Sequence, residues 1–546
     1  MSGSEDLAAI VQDVTALLER SELDKAVALA RDALDRGAEA PLLLNLRAFW
    51  LEGQNHPNDA LTDLRRAREL APEDPMILNA LGLCLAKLGR TDEAYLAFRQ
   101  CAELVPGFGP AHFNCGWTSE ELGELERARL AFEEAARLDP KSPVAYGRLA
   151  ALAARRGQWD AARAHAETAL ARAPDHPAAI IALAQADIAA KSYSEAKSRL
   201  QAVIDTPNAS VQDRATAASV LGDILDAQGR YQDAFAAYSA GNVLFRSAFA
   251  AKLEARAEMS MSDYVRWLLD SFSAVTMPPW MPSGLSRATA GEGPQRHIFL
   301  MGFSRSGTTL LEEILAGHPD AVTTGERDPF TDLVREFLAQ PAHLEKLRNL
   351  DADAVARHRT RYWDALRTLG VPVDGKVLID KQPLNTVRLP LVARLFPDAK
   401  IVFCLRDPRD VVLSCFRRRF TNNPANFEFL GLDTTAKLYD SVMQLAAVYR
   451  EKLPIPVHEI RNEDVIDDFD GEIRALCDFA GIAWADAFRD FARRSGTREV
   501  ATPSATQIVR GLGRDGVGHW RNYRADMEPV LPILNAWAER LNYPDN

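Results

Sequence analysis

A polar turn between an apolar segment and a helical pattern carries the first candidate chemistry. The apolar residues Ile298 to Met301 lead into Gly302, and helical spacing of apolar residues begins at Leu310. This order predicts a strand, a tight loop and a helix N-terminus, where backbone N–H groups and the helix dipole favour a bound phosphate or sulfate ester. The candidate anion ligands of this loop are Arg305, Ser306, Gly307, Thr308 and Thr309.

The loop lacks the lysine of a nucleoside-triphosphate site. Gly302 and Gly307 have the spacing of the phosphate-binding sequence G-x-x-x-x-G-K-S/T, but Thr308 stands at the lysine position. Since that lysine helps to neutralise the β- and γ-phosphates, its absence argues against triphosphate chemistry and leaves Arg305 as the cation of the loop. The alternative is a helix start whose glycine, serine and threonine residues only cap the helix.

Two further apolar segments each end in a basic residue. Val377 to Asp380 precedes Lys381, and Lys400 to Leu405 precedes Arg406. Ligands of an open α/β sheet collect outside the carboxyl ends of its strands. We therefore expect Lys381 and Arg406 to lie close to the loop.

Because of these motifs, residues 297 to about 525 resemble a sulfotransferase of the protein-tyrosine sulfotransferase-like kind, which uses 3'-phosphoadenylyl sulfate (PAPS) as donor. The turn that contains Arg305 resembles the 5'-phosphosulfate loop of that family, and Arg406 to Ser414 resembles its 3'-phosphate segment. The resemblance implies that Arg305 and the loop N–H groups hold the 5'-phosphosulfate. It also implies that Lys381 reaches the bridging or sulfuryl oxygen and that Arg406 and Ser414 hold the 3'-phosphate.

The resemblance extends to the last part of the chain. Residues 502–510 resemble the family segment in which a serine and a basic residue return to the donor, which implies roles for Ser504 and Arg510. Residues 517–520 resemble the closing loop, with Trp520 as a further candidate or as a core aromatic. Arg409 is predicted to be structural, with surface ion pairs to its aspartate neighbours.

A general base must take the proton of the acceptor hydroxyl, and Glu326 is the preferred candidate. Animal relatives of the resembled family carry two successive glutamates at this loop, of which the second is the base, whereas Arg327 stands second in this chain. Asp328 and His318 are therefore kept as alternatives, although His318 also fits a helix stop. A second departure is Asn462, which stands where those relatives usually have a tyrosine against the adenine.

Composition excludes several other classes of protein. The chain has 546 residues, 47% of them hydrophobic and 26% charged, and a net charge of −12, which disfavours a nucleic-acid partner. The six cysteines form no C-x-x-C pair, and no metal-ligand cluster is visible, so we expect buried free thiols and no metal. Without a signal-like N-terminus or a long apolar run, we expect no membrane span and a cytoplasmic protein.

The first half of the chain repeats itself. Alanines recur every 34 residues at Ala26, Ala60, Ala94, Ala128, Ala162 and Ala196. This period is typical of the tetratricopeptide repeat, and a seventh repeat around Ala234 follows after 38 residues. The concave face of such an array is predicted to bind a protein or peptide, the alternative being a spacer or a dimerisation arm.

The predicted fold is an all-α tetratricopeptide-repeat solenoid followed by an α/β domain with a P-loop-like, mostly parallel sheet covered by helices on both faces. We place the solenoid with its capping helix at 1–275, a linker at 276–296 and the sulfotransferase domain at 297–546. The resemblance implies a hydroxyl acceptor, either of a protein tyrosine or of a carbohydrate, lipid or small molecule. An alternative function is a repeat scaffold whose sulfotransferase-like domain binds nucleotide without turnover.

The donor motifs all follow His297. We therefore expect a fragment that starts near Ser286, without the repeats, still to bind the donor.

Overall fold

The structure is a computed structural model that describes residues 2–207, 209–254, 259–273, 293–418, 424–453, 455–497 and 511–543. The chain divides into two compact units. The first contains residues 1–154 and 158–186, and the second contains residues 155–157 and 187–546. No helix among the described residues is long and apolar enough to cross a membrane.

The first unit consists of helical hairpins. Its helices are α1 (Ser2–Glu19), α2 (Leu23–Asp35), α3 (Pro41–Gly53), α4 (Pro57–Leu70), α5 (Pro75–Lys87), α6 (Thr91–Leu104), α7 (Gly109–Glu121), α8 (Leu125–Leu138), α9 (Pro143–Arg155), α10 (Trp159–Leu170) and α11 (Pro177–Ala189), the last of which crosses the boundary between the units. Helix starts at Pro41, Pro75, Pro143 and Pro177 agree with the preference of proline for the first helical turn.

The turn inside each hairpin shows the repeat period in the backbone. Residues with positive φ recur at Ser21, Asn55, Gly89, Gly123, Gly157 and Lys191. Glycine adopts this left-handed conformation without steric cost, whereas Lys191 has φ 61° despite its side chain. The hairpin turn is thus a feature of the array even where glycine is absent.

Small residues let the two helices of a hairpin approach each other. The repeated alanines, from Ala26 to Ala196, are fully buried. A Cβ atom on Gly82 would lie 2.5 Å from the ring of Phe98, and one on Gly222 would lie 2.5 Å from the ring of Tyr238. The close approach of the two helices therefore requires glycine as well as alanine.

The second unit continues with helices and then forms a sheet. Its helices are α12 (Tyr193–Asp205), α13 (Val211–Ala227), α14 (Tyr231–Glu254), α15 (Met261–Ser273), α16 (Thr308–Leu315), α17 (Thr331–Phe337), α18 (Pro341–Arg348), α19 (Ala352–Thr368), α20 (Leu389–Leu395), α21 (Pro408–Arg417), α22 (Pro424–Glu428), α23 (Leu432–Lys452), α24 (Asn462–Asp467), α25 (Phe469–Ala480), α26 (Phe491–Thr497), α27 (Arg524–Met527) and α28 (Leu531–Arg540). The strands are β1 (Arg296–Gly302), β2 (Ala321–Thr323), β3 (Val377–Lys381), β4 (Lys400–Leu405) and β5 (Val457–Arg461). Short 3₁₀ helices lie at Pro383–Arg388, Asp486–Asp490 and His519–Tyr523.

The described strands form one parallel sheet in the order β2-β3-β1-β4-β5. The three predicted strands are present as β1, β3 and β4. Strand β2, which has only three residues, was not predicted from the sequence. One face of the sheet packs on α16 and α25 around Ile298, Val402 and Leu476. On the other face, Phe299 packs against Phe396 at 5.9 Å between ring centroids. The predicted α/β domain is confirmed.

Helix α15 belongs to the packing of the second unit. The predicted capping helix of the solenoid corresponds to α15, which begins at Met261, after the end of α14 at Glu254. The fully buried Phe272 of α15 meets Tyr449 of α23 edge-on at 4.8 Å. Residues 274–292, which include most of the predicted linker, lie outside the described residues, so the domain limits stay a prediction.

Candidate functional site

The loop after β1 requires both of its glycines. A Cβ atom on Gly302 would lie 2.5 Å from the carbonyl oxygen of Cys404 in β4. Gly307 has φ 104°, and a Cβ atom there would lie 2.9 Å from Asn462 Oδ1. Arg305, between them, is also left-handed with φ 70°. The N-cap residue of α16 is Gly307, which has no side chain to cap the helix start. A helix N-terminus of this kind can accept an anion.

Three segments that are distant in sequence meet at Arg305. The Nε atom of Arg305 donates to Ser414 Oγ of α21 at 2.9 Å. Arg406, which follows β4, donates through Nη1 to the carbonyl oxygen of Arg305 at 3.2 Å and through Nη2 to that of Gly516 at 2.6 Å. The structure thus brings together the predicted 5'-phosphosulfate loop, the predicted 3'-phosphate segment and the residues just before the predicted closing loop.

These contacts create a cluster of guanidinium groups, formed by Arg305, Arg406, Arg417 and Arg418. Burial, together with the charges of the other three arginines, lowers the pKa of Arg305 to about 9, so its side chain is still charged at neutral pH. The Nε atoms of Arg406 and Arg417 are buried and make no hydrogen bond within the described part of the chain. Clustered positive charge with unused donors fits a phosphate or sulfate group.

Lys381 lies at the end of β3 between two carboxylates. Its side chain is fully buried, its Nζ contacts Glu326 Oε1, and it lies 3.3 Å from Glu312 Oε2. Burial by itself would lower the pKa of Lys381, but the charges of Glu312 and Glu326 outweigh it and raise the pKa above its usual value. Lys381 is therefore a charged ammonium group held in a fixed place.

Glu326 stands on a strained turn that leads to Lys381. Its φ is 67°, its side chain is 38% exposed, and the preceding Gly325 donates its N–H to Glu312 Oε1 at 3.1 Å. The N–H of Lys381 donates to Thr324 Oγ1 at 2.9 Å, which attaches this turn to the end of β3. Left-handed backbone at a non-glycine residue is sparsely populated and is found disproportionately at functional sites.

The two alternative base candidates have other partners. Both carboxylate oxygens of Asp328 accept hydrogen bonds from Arg388 at 2.8 Å, and Oδ1 also accepts from the N–H of Phe330. His318 lies after the C-terminal end of α16, and its Nδ1 atom accepts a hydrogen bond from the N–H of Asp320. Of the three candidates, only Glu326 contacts Lys381 in the structure.

Glu312 was not predicted from the sequence as a site residue. Its side chain is only 5% exposed although it is acidic. A signal was present, because Glu312 and Glu313 interrupt an otherwise apolar helix between Leu310 and Leu315. Charged residues are rarely buried without a partner, so such an interruption next to a candidate loop indicates an internal ion pair.

Other predicted residues have mixed outcomes. Arg409 makes two hydrogen bonds of 2.9 Å to Asp407, but the pair is buried and not on the surface as predicted. Trp520 is fully buried and stacks on Arg409 at 4.2 Å, which is a core position. Ser504 and Arg510 lie outside the described residues.

A small, open depression adjoins the loop. It is lined by Ser306 and Gly307 of the loop and by Ile460, Arg461 and Asn462 at the end of β5.

All six cysteines are buried and free, as predicted. Among the described residues, no group of three or more His, Cys, Asp or Glu side chains could hold a metal ion.

Comparisons with known proteins agree with both halves of the chain. Residues 297–486 match the model described as Sulfotransferase family. Residues 51–107, 109–142 and 153–217 match tetratricopeptide repeat models. A solved tetratricopeptide repeat protein from Parabacteroides merdae ATCC 43184 has 17% identity and a TM-score of 0.35, over 44% of this chain and 93% of its own.

Two curated relatives extend the comparison. An uncharacterized protein of Aquifex aeolicus (strain VF5) is 24% identical over 357 residues, which cover 63% of this chain but only 44% of that protein. Protein-tyrosine sulfotransferase 1 of Danio rerio is 25% identical over 260 residues, which cover 43% of this chain and 70% of that protein. Residues 297–486 therefore form a domain of the sulfotransferase family, in a chain that also carries tetratricopeptide repeats.

Proposed function

We propose that this protein transfers a sulfuryl group from PAPS to a hydroxyl acceptor, and that the acceptor is a tyrosine of a protein or peptide. The observation that carries the proposal is the hydrogen bond between Arg305 and Ser414. It joins the two segments that a donor with both a 5'-phosphosulfate and a 3'-phosphate would need at one place. Clustered arginines with unused buried donors support an anion of this kind.

The proposed binding roles follow from these contacts. The loop from Arg305 to Thr309 offers backbone N–H groups and the start of α16 to the 5'-phosphosulfate. Arg406 and Ser414 hold the 3'-phosphate. The surface beside Gly307 and Asn462 is the proposed contact of the donor adenine, with Asn462 in place of the tyrosine of the animal relatives.

The proposed chemical roles belong to Lys381 and Glu326. PAPS, when bound, supplies the sulfuryl group and the leaving phosphate. Lys381 presents a fixed positive charge to the negative charge that develops during transfer. Glu326 is partly exposed and takes the proton of the acceptor hydroxyl. Glu312 still balances the positive charge of Lys381 when the side chain of Glu326 turns to the acceptor.

The choice of a tyrosine acceptor rests on a named relative and on the repeats. The Danio rerio relative is named a protein-tyrosine sulfotransferase. Arrays of tetratricopeptide repeats commonly bind peptides on their concave face, which would raise the local concentration of a protein acceptor. A carbohydrate, lipid or small-molecule acceptor would use the same donor site.

Two measurements test the proposal. Calorimetry should show tighter binding of 3'-phosphoadenosine 5'-phosphate (PAP) than of Mg-ATP, and equal or tighter binding of Mg-ATP would reject the donor. Incubation of peptides and lysate with labelled PAPS, followed by mass spectrometry, should then find sulfated tyrosine. Binding of PAP without transfer to any acceptor would favour a nucleotide-binding scaffold instead.

A further inference from the structure

Asp226, near the end of α13, contacts three groups around the end of α21. Its Oδ2 lies 2.7 Å from Arg417 Nη2, and its Oδ1 is 2.9 Å from His519 Nε2. The hydroxyl of Tyr523 also donates to Oδ1. One carboxylate of the repeat-type hairpin α13–α14 therefore joins α21 to the 3₁₀ helix at His519–Tyr523.

Other residues of the same hairpin hold the same end of α21. Asn242 Nδ2 donates to the carbonyl oxygen of Phe416 at 3.0 Å, which satisfies one of the carbonyl groups that a helix end leaves without a partner. The rings of Phe235 and Phe416 stack with centroids 5.1 Å apart. Asp223 lies 3.2 Å from Arg418. Two aspartates of α13 thus face two arginines of the guanidinium cluster.

We propose that Asp226 is a positioning residue for recognition of the donor 3'-phosphate, so that the last repeat hairpin forms part of the donor site. The inference depends on the proposed function above. Ser414 lies about one helical turn before Arg417, and it accepts the hydrogen bond from Arg305. Fixing Arg417 therefore fixes the part of α21 that holds Ser414 and Arg305 in place.

Charge compensation gives a second reason. Four guanidinium groups close together repel one another, and Asp223 and Asp226 offset two of them without occupying Arg305 or Arg406. Loss of the Asp226 charge would leave Arg417 among Tyr238, Tyr523 and the remaining arginines. Arg417 would then move away or compete for the anion. The expectation that a fragment from Ser286 binds donor on its own stays a prediction, and this proposal predicts weaker donor binding by that fragment because it lacks Asp223 and Asp226.

The test uses the full-length protein and two nucleotides that differ only in the 3'-phosphate, PAP and adenosine 5'-phosphate. We expect Asp226→Asn to weaken PAP binding about tenfold in calorimetry, with adenosine 5'-phosphate binding changed by less than about twofold. Asp226→Glu should restore most of the PAP affinity. Tyr523→Phe, which removes only one hydrogen bond to Asp226, should give an intermediate loss.

Asp233→Asn is the matched control, since Asp233 lies on the same hairpin in an exposed pair with Arg230. It should leave both affinities unchanged. Unaltered PAP binding in Asp226→Asn, or equal losses for both nucleotides, would overturn the positioning role while leaving the proposed donor intact. Absence of PAP binding in the wild-type protein would instead reject the proposed function, and this inference with it.

Discussion

The ammonium nitrogen of Lys381 lies 3.3 Å from Glu312 Oε2, and both side chains are at most 5% exposed. Burial of such a pair has a free-energy cost, because both charged groups lose their hydration. Removal of one partner leaves the charge of the other buried without an opposite charge. Glu312 is anchored in α16, whereas the second partner of Lys381, Glu326, is partly exposed on a strained turn. The lysine therefore has one buried partner and one partly exposed partner.

Lys381→Ala should lower kcat at least about a hundredfold while PAP binding stays within a few fold, because a charge that acts on the transition state affects rate more than ground-state affinity. Single-turnover transfer and calorimetry of the same preparation measure the two effects. Lys437→Ala, at an exposed lysine of α23, is the control. Near-normal turnover in Lys381→Ala would refute the assigned role.

Glu326→Gln should reduce kcat strongly and leave PAP affinity nearly unchanged, because the carboxylate is proposed to take the acceptor proton. The carboxylate of Asp328 already forms an ion pair with Arg388. Asp328→Asn should therefore lower the midpoint of thermal unfolding and leave kcat nearly unchanged. If the two variants showed the opposite pattern, Asp328 would replace Glu326 as the base.

Ser414→Ala should weaken PAP binding by about tenfold through loss of a hydrogen bond to a charged group, and it should change adenosine 5'-phosphate binding little. The hydroxyl of Ser414 also holds Arg305, so kcat should fall less than affinity. Titration calorimetry with both nucleotides checks this. A loss of equal size for both would mean that Ser414 only supports the loop.

Lys191→Gly should stabilise the protein by about 0.5–1 kcal/mol, because Lys191 holds a left-handed backbone at φ 61° that glycine adopts freely. Gly89→Ala, at the equivalent turn with φ 74°, should destabilise by about 1 kcal/mol. Urea unfolding of both variants gives the comparison. Changes of the same sign would show that the turn conformation does not control stability.

Asp226 should contribute stability that acid removes. Burial opposes its charge, but the hydrogen bond from His519 and the charge of Arg417 outweigh burial and lower its pKa to about 2. A lowered carboxyl pKa stabilises the fold above its unfolded pKa of about 3.9, and this stability is lost as pH falls toward 2. The difference in Tm between wild type and Asp226→Asn should therefore shrink between about pH 5 and pH 2. A constant difference would contradict the shift.

The sequence by itself determined the local features. The 34-residue period placed the hairpin turns, because a turn that needs a left-handed residue recurs in every repeat. The apolar runs ending at Lys381 and Arg406 marked the carboxyl ends of two strands. Gly302 and Gly307 marked the loop, where a Cβ atom would meet β4 and α24. Each is a short-range pattern, which residue spacing alone can express.

Only the tertiary structure decided which charges meet. Arg305 and Ser414 are 109 residues apart, and Asp226 and Arg417 are 191 apart, so their contacts depend on how strands and helices stack. The sequence could not identify Glu312 as the partner of Lys381, because Glu312 lies on α16 and Lys381 at the end of β3, far away in the chain. The sequence therefore predicted the types of residue at the site, whereas packing chose their partners, since side-chain contacts between distant elements follow from the sheet order and not from local periodicity.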